Sequence, residues 1–217
     1  MRISQFIVNP FAENTYILWT GVGGDAIIVD PGMCDEDEQN TVNEFLDKNN
    51  LALQKVILTH QHADHILSAQ YISSRYNVPV FANSKDNVLG ERLQEQANMF
   101  GLNCRRKPLC VANNLEDGDD IELGEEKIIV LAVPGHSQGG LAYYIKDSGC
   151  VLVGDSLFAQ SIGRTDLPGG DYDQLINSIK IKLLSLPDET VVYPGHGGAT
   201  TIGDEKMYNP YIRISRI

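Results

Sequence analysis

Thr59-His60-Gln61-His62-Ala63-Asp64-His65 follows the short apolar run Val56-Ile57-Leu58 and precedes Ile66, Ala69, Ile72 and Tyr76, which recur at helical spacing. The stretch therefore spans the junction of a buried strand and a helix. Three imidazoles and a carboxylate so close together are costly to arrange without a role. Neutral imidazole and carboxylate are donors that suit zinc, iron and similar ions. His60 and His62 are two residues apart, so at an extended strand end they face the same way. Asp64 and His65 come after the chain has turned and face a second position. Asp64 also lies near a helix start, where negative charge is favoured. No two of these histidines are four apart, so the pattern is not the helical His-Glu-x-x-His arrangement.

Working outward, the two remaining histidines recur in a similar setting. His136 lies in Val133-Pro134-Gly135-His136-Ser137, after the apolar run Ile128–Val133. His196 lies in Tyr193-Pro194-Gly195-His196-Gly197, after Val191–Tyr193. Asp155, in Val153-Gly154-Asp155-Ser156, follows Val151–Val153. Each motif alone reads as an ordinary turn. Together they place metal-binding side chains at four strand ends. Open α/β sheets build sites at strand carboxyl ends, so the expectation is one pocket in which all five histidines are ligands.

The flanking sequence supplies a frame of strands and helices. Met1–Ile7 reads as a first strand. Asn14–Thr20 and Asp25–Asp30 read as a hairpin about Gly21-Val22-Gly23-Gly24. Asp35–Lys48, polar with sparse apolar positions, reads as an exposed helix. Val78–Phe81 is another strand, and Leu89, Leu93, Ala97 and Phe100 mark a helix closed by Gly101. Ile121–Leu123, Lys127–Val133, Leu141–Ile145 and Cys150–Val153 follow as strands. Asp171, with Gln174 three residues on, caps a helix whose face is Tyr172, Leu175, Ile176, Ile179 and Leu183. Val191–Tyr193 is a late strand. The order predicts an α/β protein with helices outside two packed sheets, and no linker divides 1–217, so a single domain is expected.

Composition narrows the partners. The chain has 217 residues, 42% of them hydrophobic, and a formal charge of −12 from 17 basic and 29 acidic residues. The densest basic run is Arg105-Arg106-Lys107. Without a clustered basic face, nucleic acid is not the expected substrate. No run approaches the ~20 apolar residues of a membrane span, and the start lacks the apolar region of a secretory signal. A cytoplasmic protein acting on a small molecule, with no membrane partner, is the expectation. The cysteines, Cys34, Cys104, Cys110 and Cys150, include no C-x-x-C pair. They read as reduced and mostly buried thiols rather than as a Cys104–Cys110 bridge.

On the His60–His65 motif, His136, Asp155 and His196, the chain resembles the metallo-β-lactamase superfamily, and the likeness covers essentially its whole length. The resemblance implies an αβ/βα four-layer sandwich with the metals in a cleft between the sheets. It implies a first metal on His60, His62 and His136, a second on Asp64, His65 and His196, and Asp155 bridging them. Asp30, ending Ile27-Ile28-Val29-Asp30, looks like the family's early aspartate, supporting the ligands. The pattern resembles the glyoxalase II (hydroxyacylglutathione hydrolase) branch more than the antibiotic-degrading one. Arg164, in Gly163-Arg164-Thr165-Asp166, stands where that branch has a basic substrate-contacting residue. Gly198 stands where it has a tyrosine, and the chain stops at Ile217 without most of its C-terminal helices, as in a compact bacterial branch.

The expected function is thioester or ester hydrolysis with two divalent ions, zinc first, iron or manganese being accepted by the same donors. Two ions ~3.5–4 Å apart hold a water and bring its pKa to near ~7, giving a metal-bound hydroxide as nucleophile. Asp64 would orient that hydroxide as well as bind metal. Arg164 would bind a substrate carboxylate, the alternative being a structural ion pair. The rival readings are a mono-iron persulfide dioxygenase using His60, His136 and Asp155, then a lactonase, a nuclease and a non-catalytic metal binder.

Overall fold

The computed structural model describes residues 1–102 and 108–213. Cys104 and Arg105-Arg106-Lys107 lie outside the described residues, and with them any Cys104–Cys110 pairing. The first sheet holds β1 (Arg2–Val8), β2 (Glu13–Trp19), β3 (Asp25–Val29), β4 (Ala52–Ile57), β5 (Val80–Ala82) and β6 (Asn113–Asn114), in that order. β1, β2 and β3 pair antiparallel, whereas β3 to β6 pair in parallel. Parallel neighbours need crossovers, and helices supply them: α1 (Glu36–Lys48), then α2 (Ala63–Ile66) and α3 (Ala69–Tyr76), then α4 (Asn87–Glu91) and α5 (Leu93–Met99).

The second sheet contains β7 (Asp120–Leu123), β8 (Glu126–Ala132), β9 (Leu141–Ile145), β10 (Cys150–Gly154), β13 (Val191–Pro194) and β14 (Thr200–Thr201), ordered β14-β13-β10-β9-β8-β7. A small hairpin, β11 (Leu157–Phe158) with β12 (Ser161–Ile162), follows β10. α6 (Tyr172–Ser178) runs into a π-helical turn at Ile179–Leu183, and α7 (Ile202–Tyr208) and α8 (Pro210–Arg213) close the described chain.

Strand alternation sorts apolar residues into three cores. On the outer face of the first sheet, Ile17, Ile28 and Val56 pack with Val42, Leu46 and Ile72 from the helices. Between the sheets, Leu18, Ile27, Val29 and Ile57 meet Ile128, Val130, Tyr143 and Leu152. Beyond the second sheet, Ala142, Val151 and Val153 pack on Leu175, Ile179, Leu183 and Ile202. The layers are helix, sheet, sheet, helix, which is the expected αβ/βα sandwich.

Topology then places the strand ends. β8 and β10 both run antiparallel to β9, and β13 runs parallel to β10. The three carboxyl ends carrying His136, Asp155 and His196 therefore lie on one edge. The end of β4 is stitched to that edge from the other sheet: Leu141 N donates to Thr59 O at 2.7 Å and Tyr143 Oη to Leu58 O at 2.6 Å. Tyr16 Oη likewise donates to Pro194 O at 2.7 Å.

Several elements differ from the sequence reading. α1 is capped by Asp35, whose side chain accepts from Glu38 N at 2.9 Å, but it is not an exposed helix: Val42 and Leu46 are fully buried. Few apolar residues suffice because they recur on one face. The helix expected through Ile66 to Tyr76 breaks after Ile66, where Ser68 N turns to Pro31 O (2.9 Å) and its hydroxyl to Met33 O (2.7 Å). The Leu89–Phe100 helix breaks at Arg92, and Gln96 Nε2 caps the Leu89 carbonyl at 2.7 Å. Of the described cysteines only Cys150 is buried; Cys34 is half-buried and Cys110 exposed. That corrects the expectation of mostly buried thiols.

Candidate metal centre

His60 and His62 leave β4 on an extended segment, and His136 arrives on the turn after β8. Their inward nitrogens form one group, with ligand atoms all within 4.8 Å of one another. Asp64 and His65, one α-helical turn further on, form a second such group with His196 from the end of β13. Asp155 lies between them. Its Oδ1 is 3.4 Å from His65 Nε2, and its Oδ2 is 3.7 Å from His136 Nε2 and 3.6 Å from His196 Nε2.

The hydrogen bonds around the rings fix which nitrogen faces inward. Thr59 gives its one hydroxyl proton to Asp30 Oδ2 (2.5 Å), so at 3.0 Å from His60 Nδ1 it can only accept. His60 is thereby protonated on Nδ1 and offers a lone pair at Nε2. His136 Nδ1 meets the Arg164 carbonyl at 2.7 Å, and His196 Nδ1 the Phe11 carbonyl at 3.0 Å. A carbonyl only accepts, so both rings also turn an Nε2 lone pair inward. His65 Nδ1 faces Asp30 Oδ2 at 3.1 Å. His62 points Nδ1 inward, 2.9 Å from His136 Nε2.

The fit to metal ions rests on atoms left without partners. His60 Nε2, His65 Nε2 and Asp155 Oδ1 are buried and make no hydrogen bond. An unsatisfied buried polar group costs about 1–3 kcal/mol, and three pointing at one space are accounted for by cations there. The electrostatics of the first group agree. Burial, then His65 and its neighbours, push His60 well below the usual imidazole range. Burial and His136 take His62 down to about 3. Burial works against the charge on Asp155, yet His65 above all holds it well below the usual carboxylate range. His60 and His62, neutral beside an ionised carboxylate, are metal-ready donors. Burial opposes charge on His65 and His196, yet the carboxylates Asp155 and Asp64 hold both above the usual imidazole range, so at the second group a metal ion displaces protons.

A cavity of about 250 Å³ opens over this centre, lined by Phe11, Phe100, Leu167 and Arg164 as well as the ligand candidates other than His60 and His65. Arg164 is 58% exposed and grips Asp166 with two bonds, Nε–Oδ1 at 2.7 Å and a terminal nitrogen to Oδ2 at 2.8 Å. Its backbone carbonyl orients His136. Gly195 is required where it stands, since a Cβ there would lie 2.2 Å from Asp155 Oδ1 and 2.6 Å from His65 Cε1.

Three residues escaped the sequence reading. Glu13 is fully buried, 3.7 Å from His65 Nδ1, with its carboxyl pushed up by burial. The signal was a charge at the head of an otherwise uncharged, buried strand. Asp86, also pushed up by burial, accepts from Ser137 Oγ (2.7 Å) and Gly139 N (2.7 Å) and more loosely from Gln61 N (3.4 Å), tying together both loops of the first group. Phe11 forms one wall of the cleft. Nothing local in the sequence distinguishes the last two.

Residues 8–196 match the Metallo-beta-lactamase superfamily, and the chain belongs to it. That superfamily is metal-dependent, and the class defined by fold and site is a metal-dependent hydrolase. The chain is similar to hydroxyacylglutathione hydrolase GloC of Haemophilus influenzae, at 35% identity over 98% of each chain. Among solved structures it is similar to TTHA1623 in a di-iron-bound form, at 38% identity and a TM-score of 0.84, covering 96% of this chain and 99% of the other. It is also similar to the BLEG-1 B3 metallo-beta-lactamase, at 32% identity and a TM-score of 0.85, covering 97% and 99%. Among the described residues no helix is long and apolar enough to cross a membrane.

Proposed function

We propose that this chain is a glyoxalase II-like hydrolase that cleaves a small thioester or ester, with one divalent ion on His60, His62 and His136, a second on Asp64, His65 and His196, and Asp155 shared between them. The observation carrying this reading is the place of Asp155, within 3.4–3.7 Å of rings from both groups. Two such ions, when bound, supply an activated water and a positive charge for the carbonyl oxygen. Zinc is the first choice, with iron and manganese taking the same donors. The similarity to a di-iron protein keeps iron in view.

The chain's own groups do the rest. Asp64, partly open to the cleft, accepts a hydrogen bond from the attacking water and aims it. Arg164, at the rim, takes a substrate carboxylate in place of Asp166. Phe11, Phe100 and Leu167 shield the acyl group from bulk water. A thiolate leaving group needs no dedicated acid, since a free thiol has a pKa of about 8.5. Because the two sheets contribute ligands jointly, 1–217 works as a single catalytic domain.

The test pairs plasma mass spectrometry of the purified protein with turnover of S-lactoylglutathione, a β-lactam and glutathione persulfide. About two ions per chain with thioester turnover supports the reading. One iron per chain with oxygen uptake on the persulfide replaces it with a dioxygenase, and preferential β-lactam cleavage with a lactamase. Arg164→Ala should raise KM for carboxylate-bearing substrates and leave kcat nearly unchanged.

A further inference from the structure

The cleft over the metal centre, about 250 Å³, is smaller than the ~300–1,000 Å³ typical of pockets that enclose a whole ligand. A second cavity of about 270 Å³ lies beside it. They have no lining residue in common, but two short segments contribute neighbouring residues to both. His136 faces the first and Gln138 the second; Leu167 faces the first, Pro168 and Gly169 the second. Gln138 braces that dividing strip, donating to Gly169 O at 2.7 Å and to Gln174 Oε1 at 3.0 Å.

The chemistry of the second cavity is distinct. Val88, Leu89 and Pro168 make it largely apolar, and Lys85 and Arg92 stand in its lining. Lys85 is exposed and has no ion-pair partner among the described residues. Arg92 is held only loosely, 3.8 Å from an exposed Glu95. The one carboxylate in the lining, Asp86, is 2% exposed and turned to Ser137 and Gly139. In a chain of net charge −12, this opening presents two cations and no accessible carboxylate of its own.

We infer that this second cavity binds the anionic arm of the leaving thiol, so that the substrate crosses the Leu167–Gly169 strip with its acyl carbon at the metal centre and its carboxylate or phosphate groups at Lys85 and Arg92. The inference rests on the hydrolase reading for the word substrate, but not for the site. Both cations lie outside the metal ligands, so the pocket holds its anion with the metals removed. Carboxylate and phosphate offer the same charge to these side chains, and the choice of thiol separates them.

The test has two arms. In the first, chelator-treated protein is titrated calorimetrically with glutathione, with coenzyme A and with neutral N-acetylcysteamine. One anionic thiol should bind roughly tenfold or more tightly than the neutral one, and Lys85→Glu with Arg92→Glu should abolish that difference. Glutathione binding assigns the carboxylate source, coenzyme A binding the phosphate source. In the second, the ratio of kcat/KM for anionic and neutral thioesters of one acyl group is compared between the parent and the double variant. The ratio should fall by roughly tenfold, through KM. Equal binding of all three thiols, or a ratio unmoved by charge reversal, overturns the inference. Absence of any thioester turnover overturns the hydrolase reading alone, since the calorimetric arm still decides the site.

Discussion

Asp30 Oδ2 stands 3.1 Å from His65 Nδ1 and 2.5 Å from Thr59 Oγ1, which in turn holds His60 Nδ1 at 3.0 Å. One carboxylate thus orients a ring in each ligand group, directly in one case and through a hydroxyl in the other. Its backbone has a φ of +48°, uncommon outside glycine but tolerated by aspartate. Asp30→Asn should therefore weaken both metal positions together, by about 10–100-fold each. Chelator competition, position by position, checks this; loss confined to one position would mean that the Thr59 relay does not orient His60.

Gly195 and Gly198 offer a paired experiment. A methyl at Gly195 meets Asp155 and His65, whereas nothing lies within 4 Å of one at Gly198. Gly195→Ala should cost most of the bound metal and activity, while Gly198→Ala changes neither. Metal content and circular dichroism on both variants separate damage at the centre from loss of fold.

Metal removal should lower thermal stability. Ligand binding to the native state alone adds about 4.1 kcal/mol at a thousandfold excess over Kd. Without metal, the buried Nε2 atoms of His60 and His65 lack partners. Scanning fluorimetry with a chelator should show a fall in Tm, reversed by zinc, iron or manganese. An unchanged Tm would show that the donor set holds no tightly bound ion.

Cys150 should resist alkylation in the native protein. Burial pushes its thiol up to about 11, and only the thiolate attacks. The raised value means less thiolate: at pH 8 about one thiol in a thousand is ionised. Iodoacetamide followed by peptide mass mapping should leave Cys150 unmodified until the protein is unfolded. Rapid native labelling would contradict its buried place on β10.

The site was legible to different depths. His60 to His65 declare themselves because four donors crowd one strand end. His136, Asp155 and His196 are weak singly, and their repeated strand-then-turn setting made them readable. All of these residues do meet in one cluster. Asp86 and Phe11 gave no sign, since their contacts are with loops far along the chain: Asp86 with Ser137 and Gly139, the Phe11 carbonyl with His196. For Arg164 the sequence posed two roles, and the structure shows both of their settings, a place on the cleft and a bidentate grip on Asp166.

By itself the sequence determined the layer plan and the candidate donors, because strand alternation, helical spacing and ligand chemistry are local properties of the chain. Only the tertiary structure decided where helices break, which ring nitrogen faces inward, that Glu13 is buried beside His65, and that a second cavity adjoins the first. Those features depend on hydrogen bonds and packing between segments far apart in sequence. No local pattern encodes them, because each partner's position is set by the sheets that carry it.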